Sequence, residues 1–277
     1  MKYVLYNPLS NNKKGEQVVE EVKEKLKGKY ECINLIGLDA KSFMENLSSN
    51  DDVILVGGDG TLNHFVNDID LEDIRNDIYM YRAGSGNDFL NDLNSKEDFT
   101  HINKYLTNLP KVTVNGITRY FFNGIGYGID GYCAYVGNEM RKNSSKKKIN
   151  YTLIAIKGLL FAYKPVNAIV SVDGVVNKYK NVWLAPSMKG RYFGGGMMVA
   201  PYQNREDGLL TSVVYFCKSK LKTLWIFPSI FKGKHPKYDK NVRMTKGKII
   251  EVTFDKPTAL QIDGETINDV LSYKVEV

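Results

Sequence analysis

Residues 52–61 read DVILVGGDGT, and this stretch decides the fold of the first part of the chain. Residues 52–56 form an apolar run, as expected for a strand that is buried on both faces of a parallel sheet. A glycine-rich turn follows at once, and we expect a helix from Leu62 to about Asn67. Open α/β sheets bind ligands at the carboxyl ends of their strands, where glycines bring backbone N–H groups close to an anion. The stretch therefore predicts a phosphate-binding loop, with a tight turn that binds nothing as the alternative.

Two polar residues of this loop have separate expected roles. Thr61 would either cap the following helix or bind a phosphate oxygen. Asp59 is poorly suited to touch phosphate, since both are negative. We interpret it as a partner of Mg²⁺ or as a base near a transferred phosphoryl group.

Two further junctions between strand and helix carry similar residues. Residues 81–89 read YRAGSGNDF, in which Ser85 and the glycines could donate hydrogen bonds to a phosphate or ribose. Asn87 and Asp88 would cap the next helix. The first junction, at residues 7–15, adds polar and cationic groups at the same edge, although a surface turn is an equal alternative. The chain contains neither GxxxxGK[ST] nor HRDxxxxN, so it is neither a P-loop protein nor a protein kinase.

The pattern of apolar residues and turn signals changes near residue 110. Residues 1–110 alternate apolar strands with amphipathic helices, which predicts an α/β domain with a parallel sheet. Residues 111–277 contain many strands linked by turn pairs, which predicts a mainly antiparallel β domain with a helical insertion at about 132–163. The strands that we expect here include 112–114, 119–123, 167–172, 182–185, 209–216, 249–254 and 273–277.

Composition excludes several classes of protein. The 277 residues are 43% hydrophobic, and the net charge is +7. The three cysteines are widely spaced, so we expect neither a disulfide framework nor a zinc site. The longest apolar stretch, residues 151–163, is shorter than the ~20 residues that span a bilayer. No motif indicates a nucleic-acid partner, and we expect a cytoplasmic protein.

Two acidic motifs follow in the second part. Asp263 and Glu265 flank a glycine, a pair that suits a base drawing the proton from an attacking hydroxyl, although an ordinary Asp-Gly hairpin turn is the simpler interpretation. Asn204, Asp207 and the Leu209 carbonyl could offer oxygen ligands to Mg²⁺, with a plain loop as the alternative.

In order and spacing, these motifs resemble the diacylglycerol-kinase catalytic family of lipid kinases, which includes sphingosine and ceramide kinases. The resemblance covers essentially the whole chain. It is carried by Asn7-Pro8, GGDGT at 57–61, GSGNDF at 84–89, NGIGYGID at 123–130, residues 194–201, DGL at 207–209, GKH at 233–235 and DGE at 263–265.

The resemblance implies an α/β nucleotide-binding domain followed by a β-sandwich domain, with ATP and Mg²⁺ as cofactors. It implies Glu265 as the catalytic base with Asp263 beside it, and it leaves that role open for Asp59. Asp130 matches the acidic residue that meets the polar head of the lipid. The residues implied to bind ATP are Asn7, Gly57, Gly58, Asp59, Gly60, Thr61, Asn63, Gly84, Ser85 and Asn87.

The resemblance also implies a structural Mg²⁺ site at Asn204, Asp207 and Leu209. Asn204 stands where the family usually has aspartate, which removes one negative charge and puts occupancy of the site in doubt.

The expected reaction is transfer of the ATP γ-phosphoryl group to a lipid hydroxyl, most simply that of diacylglycerol. The lipid would be reached by peripheral contact with a membrane, to which the basic residues within 141–148 could contribute, with a solvated turn followed by a core helix as an equal alternative for this segment. An NAD kinase-like enzyme and an inactive lipid- or nucleotide-binding regulator are the alternatives. A homodimer is left open.

Overall fold

The structure is a computed structural model that describes residues 1–10, 15–83, 87–143 and 151–277. The chain divides into two compact units, Met1–Leu109 and Pro110–Val277. In neither unit is a described helix both long and apolar enough to pass through a bilayer.

Unit 1 is a five-stranded sheet with helices between the strands. The sheet has the order β2-β1-β3-β4-β5; the first four strands are parallel, and β5 is antiparallel to β4. The strands are β1 (Lys2–Tyr6), β2 (Tyr30–Asn34), β3 (Asp52–Gly57), β4 (Asp77–Arg82) and β5 (Phe99–His101). The helices are α1 (Gly15–Lys25), α2 (Ala40–Glu45), α3 (Asp59–Asp68), a 3₁₀ turn (Leu71–Asp73), α4 (Asp88–Leu93) and α5 (Asn103–Leu106).

The central strand β3 anchors this unit. Its residues Val53 to Val56 are at most 3% exposed, and full burial of each such side chain contributes about 1.5–3 kcal/mol. Because β1, β3 and β4 are parallel neighbours, their carboxyl ends lie along one edge of the sheet. The loops after them therefore begin at that edge.

Unit 2 is built on one ten-stranded antiparallel sheet. The order is β7-β6-β17-β16-β8-β11-β14-β10-β9, β15 pairs with β14, and β16 also pairs with β9. The path from β16 through β8, β11, β14, β10 and β9 thus returns to β16, so these strands close on themselves and protect their edges. The strands are β6 (Lys111–Val114), β7 (Ile117–Tyr120), β8 (Gly124–Tyr127), β9 (Val166–Val172), β10 (Val175–Leu184), β11 (Ser187–Met188), β14 (Leu210–Phe216), β15 (Val242–Gly247), β16 (Ile249–Ile262) and β17 (Glu265–Glu276).

Helices and a small hairpin complete unit 2. The hairpin joins β12 (Tyr192–Phe193) to β13 (Met197–Met198) through Gly194, Gly195 and Gly196, all three at positive φ. The helices are α6 (Ile129–Asn143), α7 (Tyr151–Lys157), a π-helical turn (Gly158–Ala162), α8 (Lys220–Ile226), α9 (Pro228–Phe231) and a 3₁₀ turn (His235–Lys237).

Several predicted boundaries were wrong. Helix α3 begins at Asp59 rather than Leu62, because Asp59, Gly60 and Thr61 form its first turn instead of a longer loop. The strand expected at 119–123 ends at Tyr120, since the next three residues bend around the Asp263 side chain. Strand β8 was not anticipated, because Gly124 and Gly126 weaken the strand signal of Ile125 and Tyr127. The helical insertion begins at Ile129 rather than 132 and therefore includes Asp130.

Candidate active site

The loops after β3 and β4 are joined through the side chain of Asp59. Its Oδ2 accepts a hydrogen bond from the Asp88 backbone N–H at 2.8 Å, and its Oδ1 accepts one from the Phe89 N–H at 3.1 Å. Asn87 is the N-cap residue of α4 but makes no side-chain capping bond. The Asp59 carboxylate therefore caps α4, which fixes the start of this helix relative to the first turn of α3.

The turn at Gly57 is closed by Thr61. A Cβ atom on Gly57 would overlap the Thr61 side chain, so only glycine leaves room for this contact. The N-cap of α3 is Gly58, without a side-chain bond, so the prediction that Thr61 could cap the helix was wrong. Thr61 is half-buried in the first turn of the helix, near an N-terminus that favours anions.

The remaining residues predicted to bind the nucleotide lie in four different settings. Asn7 forms a local turn in which its Oδ1 accepts from the Leu9 N–H at 2.9 Å. Asn63 is almost fully buried within α3. Gly84 and Ser85 lie outside the described residues. Gly60 is exposed at the start of α3.

In unit 2, the Asp263 carboxylate is enclosed by backbone N–H groups. Its Oδ2 accepts from Phe122 at 2.6 Å, and its Oδ1 accepts from Asn123 at 2.8 Å and from Gly124 at 3.0 Å. Asp263 itself has a φ of 46°, a left-handed conformation that aspartate tolerates better than most residues. The side chain thus holds the entry to β8 against the turn between β16 and β17.

Arg205 holds the same segment from the other side. Its guanidinium donates to the Phe122 carbonyl at 2.6 Å and to the Asn123 side-chain oxygen. Asn123 is almost fully buried. Residues 122–124 are therefore held by both a carboxylate and a guanidinium, an arrangement that leaves little freedom to the turn that carries Asp263.

Glu265 lies two residues beyond Asp263, as the first residue of β17. Its Oε2 is 2.9 Å from Nη1 of Arg119, and both side chains remain about 30% exposed. Unlike the Asp263 carboxylate, that of Glu265 is held by a side chain at the surface of unit 2. It remains reachable by solvent, which is what a proton acceptor requires.

A buried amide connects this turn to Asp130. Gln261 accepts from the Gly264 N–H through Oε1 at 2.6 Å and donates through Nε2 to Oδ2 of Asp130 at 3.1 Å. Gly126 makes room for the Asp130 carboxyl, since a Cβ atom there would overlap Oδ2. Burial raises the pKa of Asp130 to about 7, and the hydrogen bond from Gln261 offsets part of that rise.

The residues predicted to hold a structural Mg²⁺ are engaged by donors of the protein. Gln203 Nε2 donates to the carbonyls of Leu209 at 2.8 Å and Asn204 at 3.0 Å. The Lys246 ammonium contacts Asp207 Oδ2 at 2.6 Å. An amide and an ammonium thus lie on the oxygens that a cation would need, and the set does not fit a metal site. Over the whole described part of the chain, no three His, Cys, Asp or Glu side chains are grouped to hold a metal ion.

The GKH motif at 233–235 packs rather than facing a ligand. His235 is 1% exposed, and its Nε2 lies 2.9 Å from the Val199 carbonyl oxygen. Burial lowers the pKa of this imidazole to about 4, so His235 is neutral at physiological pH. A Cβ atom on Gly233, which has positive φ, would overlap Met198. The motif therefore ties residues 198–201 to the helical part of unit 2.

Comparison with known proteins agrees with this fold. Residues 2–116 match the diacylglycerol kinase catalytic domain, and residues 123–276 match the YegS C-terminal NAD kinase beta sandwich-like domain. The two parts together define a kinase with a nucleotide-binding α/β domain and a β-sandwich-like domain. The chain belongs to the diacylglycerol kinase family of lipid kinases, and this membership indicates a kinase that uses ATP.

Individual relatives are distant but cover most of the chain. The chain is 27% identical over 229 residues to YtlR of Bacillus subtilis, which is provisionally named a lipid kinase; the match covers 77% of this chain and 73% of YtlR. It is 26% identical over 263 residues to the diacylglycerol kinase of Mycobacterium tuberculosis, covering 90% and 83% of the two chains. A Bacillus anthracis crystal structure, provisionally assigned as a diacylglycerol kinase, superposes with a TM-score of 0.71 at 19% identity. It covers 99% of this chain and 91% of that one, which supports the fold.

Sequence reasoning missed four residues that the structure places at these sites: Arg119, Arg205, Lys246 and Gln261. Gln261 carried no signal, because it alternates with the core residues Leu260 and Ile262 and so falls where a polar side chain is ordinary. The other three reach their partners across 39 or more residues of sequence. No local pattern could have indicated such contacts.

Proposed function

We propose that this protein transfers the γ-phosphoryl group of ATP to the hydroxyl of diacylglycerol or a closely related lipid. The observation that carries the proposal is the turn at 263–265. It presents Glu265 at the surface, paired with Arg119, while Asp263 is fully occupied by backbone amides. Matches to the diacylglycerol kinase family over both parts of the chain support the lipid as acceptor.

Glu265 is the proposed base. It accepts the proton of the lipid hydroxyl as the hydroxyl oxygen attacks the γ-phosphorus and ADP leaves. General-base catalysis of this kind contributes about 10²–10⁴-fold to the rate. Arg119 orients the carboxylate, and Asp263 acts as a positioning residue by holding the turn.

Unit 1 is proposed to bind the nucleotide. The N-terminus of α3 offers backbone N–H groups and the positive end of the helix dipole to the phosphates. Mg²⁺ that accompanies ATP would reduce repulsion among phosphate charges, with Asp59 as the nearest carboxylate of this loop. Because Asp59 already caps α4, its replacement would also loosen the loop around Asn87.

Asp130 is proposed to bind the polar head of the lipid. With a pKa of about 7, its carboxyl group can be protonated near neutrality and then donate a hydrogen bond to a glycerol or ester oxygen. Gln261 fixes the orientation of this group and links it to the turn that carries Glu265.

Incubation with γ-labelled ATP and a total lipid extract tests the function. We expect label in a lipid that migrates as phosphatidic acid, and loss of that label in Glu265→Gln. NAD⁺ in place of lipid serves as the second acceptor. Label in NADP⁺ with none in lipid would refute the proposal and favour the NAD kinase-like alternative.

A further inference from the structure

One part of unit 2 exposes large apolar side chains on two helical segments. Phe161 is 82% exposed at the end of the π-helical turn, while Leu221 and Trp225 on α8 are 80% and 68% exposed. Leu221 and Trp225 are four residues apart and therefore share one face of the helix. Large apolar side chains that are grouped and exposed mark interaction sites.

The two segments are neighbours and are firmly held. Lys220 Nζ donates to the Leu160 carbonyl at 3.2 Å, which joins the start of α8 to the π-helical turn. Leu159 and Ile226 are buried in the same apolar core. The Trp225 ring contacts Tyr238 edge-on, with centroids 5.3 Å apart. The outward side chains are thus presented by a rigid base, and we name Phe161, Leu221 and Trp225 the apolar face.

The sequence segments that carry the apolar face contain charged residues of one sign only; residues 144–150 of the first segment lie outside the described residues. Residues 141–172 contain seven Lys or Arg and no Asp or Glu, and residues 208–238 contain six and none. The chain has 31 acidic residues in all, so two segments that together contain 63 residues and no Asp or Glu are unusual within it. Five exposed lysines belong to the described segments beside the face: Lys157, Lys164, Lys218, Lys220 and Lys222.

We infer that the apolar face and its lysines form a surface that docks on anionic phospholipid bilayers. The rigid aromatic and aliphatic side chains enter the interfacial layer, while the lysines extend their ammonium groups to the lipid phosphates. Trp225 has the amphipathic ring that is typical of such interfaces. The inference rests on the proposed function, because a lipid hydroxyl must be reached at a bilayer. It names the surface and the lipid charge that achieve this.

The binding test uses the full chain without ATP and vesicles without diacylglycerol. We expect co-sedimentation with vesicles of phosphatidylcholine and phosphatidylglycerol, and weak binding to phosphatidylcholine alone. Each lysine near an anionic surface contributes about 1 kcal/mol, or about fivefold. The triple variant K164Q/K218Q/K222Q, which keeps the contact between Lys220 and Leu160, should therefore lose about 100-fold in binding at low salt.

A matched control variant, K178Q/K180Q/K248Q, removes the same charge from exposed positions outside α8 and the π-helical turn. We expect it to lose less than about threefold, because short-range contact with the lipid head groups requires a lysine at the face. Equal losses in the two triple variants, or equal binding of the natural chain to neutral vesicles, would overturn the inference.

The two tryptophans give a direct test of insertion. Trp183 is fully buried and donates to the Cys217 carbonyl at 2.8 Å, whereas Trp225 is exposed. Anionic vesicles with brominated acyl chains should quench the emission of Trp225, and the quenching should vanish in Trp225→Phe. Binding without quenching would place the contact elsewhere and refute the assignment.

An activity assay separates this inference from the proposed function. W225A should lose about tenfold or more on diacylglycerol in vesicles, yet keep its activity on a short-chain diacylglycerol below its micelle concentration. Equal loss on both substrates would contradict a docking role. If the natural chain binds anionic vesicles through Trp225 but phosphorylates no lipid, the proposed function fails while the docking surface stands.

Discussion

Replacing Asp263 separates a positioning role from a catalytic one. Three backbone N–H groups end on its carboxylate, at 2.6, 2.8 and 3.0 Å. In Asp263→Asn the amide oxygen can keep the two bonds to Oδ1, but the NH₂ group then opposes the Phe122 N–H. The lost bond and the two donors left facing each other together cost about 2 kcal/mol.

Asp263→Ala removes all three bonds and also places alanine at a φ of 46°. For partly buried groups we take about 1 kcal/mol for each bond and about 1 kcal/mol for the left-handed backbone, about 4 kcal/mol in total. In a unit of 168 residues, 1 kcal/mol lowers the unfolding temperature by about 2–4 °C. We therefore expect drops of about 4–8 °C for the Asn variant and about 8–16 °C for the Ala variant.

Intrinsic tryptophan fluorescence during heating is the assay, because both tryptophans of the chain lie in unit 2. Asp269→Asn is the matched control, since Asp269 is also at positive φ and exposed in β17; its unfolding temperature should change by less than about 1 °C. Kinase activity of Asp263→Asn, measured well below its unfolding temperature, should fall by about tenfold through displacement of Glu265. An Asn variant that unfolds like the natural protein but loses activity 100-fold or more would refute this reasoning and make Asp263 the base.

Three more predictions test neighbouring groups. Glu265→Gln should lower kcat by about 10²-fold or more. Its unfolding temperature should stay within about 2 °C of the natural value, since the ion pair with Arg119 is part-exposed and contributes at most about 1 kcal/mol. A kcat within threefold of the natural value would exclude Glu265 as the base. The pKa of Asp130 is raised in the folded state, so its protonated form stabilises the fold below pH 4, and that stability is lost as the pH rises to about 7. The unfolding free energy of Asp130→Asn should therefore decrease less between pH 4 and pH 7 than that of the natural protein, by a few kcal/mol. Urea titrations at several pH values measure this difference, and equal decreases in the two proteins would contradict the raised pKa of Asp130. Chelation with EDTA should not change the unfolding temperature of unit 2. Lys246→Gln should lower that temperature by about 2–4 °C, because the ion pair with Asp207 is lost. A large drop on chelation would show that residues 204–209 hold a metal.

Much of the fold followed from local patterns. The alternation of apolar runs and amphipathic helices in residues 1–110 predicts a parallel α/β sheet, because both periodicities are properties of a few consecutive residues. The β character of residues 111–277 followed from turn pairs and apolar strands in the same way. Strand β8 was not predicted because its two glycines have no β propensity. They are required by the Met188 side chain, which contacts Gly124, and by the Asp130 carboxyl, which lies against Gly126.

The sequence by itself determined which residues could carry the chemistry. The motifs at 57–61 and 263–265 named Asp59, Asp263 and Glu265 as the carboxylates of interest, since residue type and spacing are local facts. Only the tertiary structure decided what each one does. Asp59 caps α4, Asp263 is enclosed by three backbone amides, and Glu265 is paired at the surface with Arg119.

The same holds for the 57–61 loop and for residues 204–209. The glycines of the loop predicted a close approach of the backbone to an anion. In the structure, Gly57 is required because a Cβ atom there would overlap the Thr61 side chain. The oxygen atoms of residues 204–209 predicted a Mg²⁺ site. In the structure, the Lys246 ammonium on β15 forms an ion pair with Asp207 where a metal cation would bind. Partners that are distant in sequence decide these roles, because hydrogen bonds and ion pairs depend on distance in space and leave no pattern in the neighbouring residues.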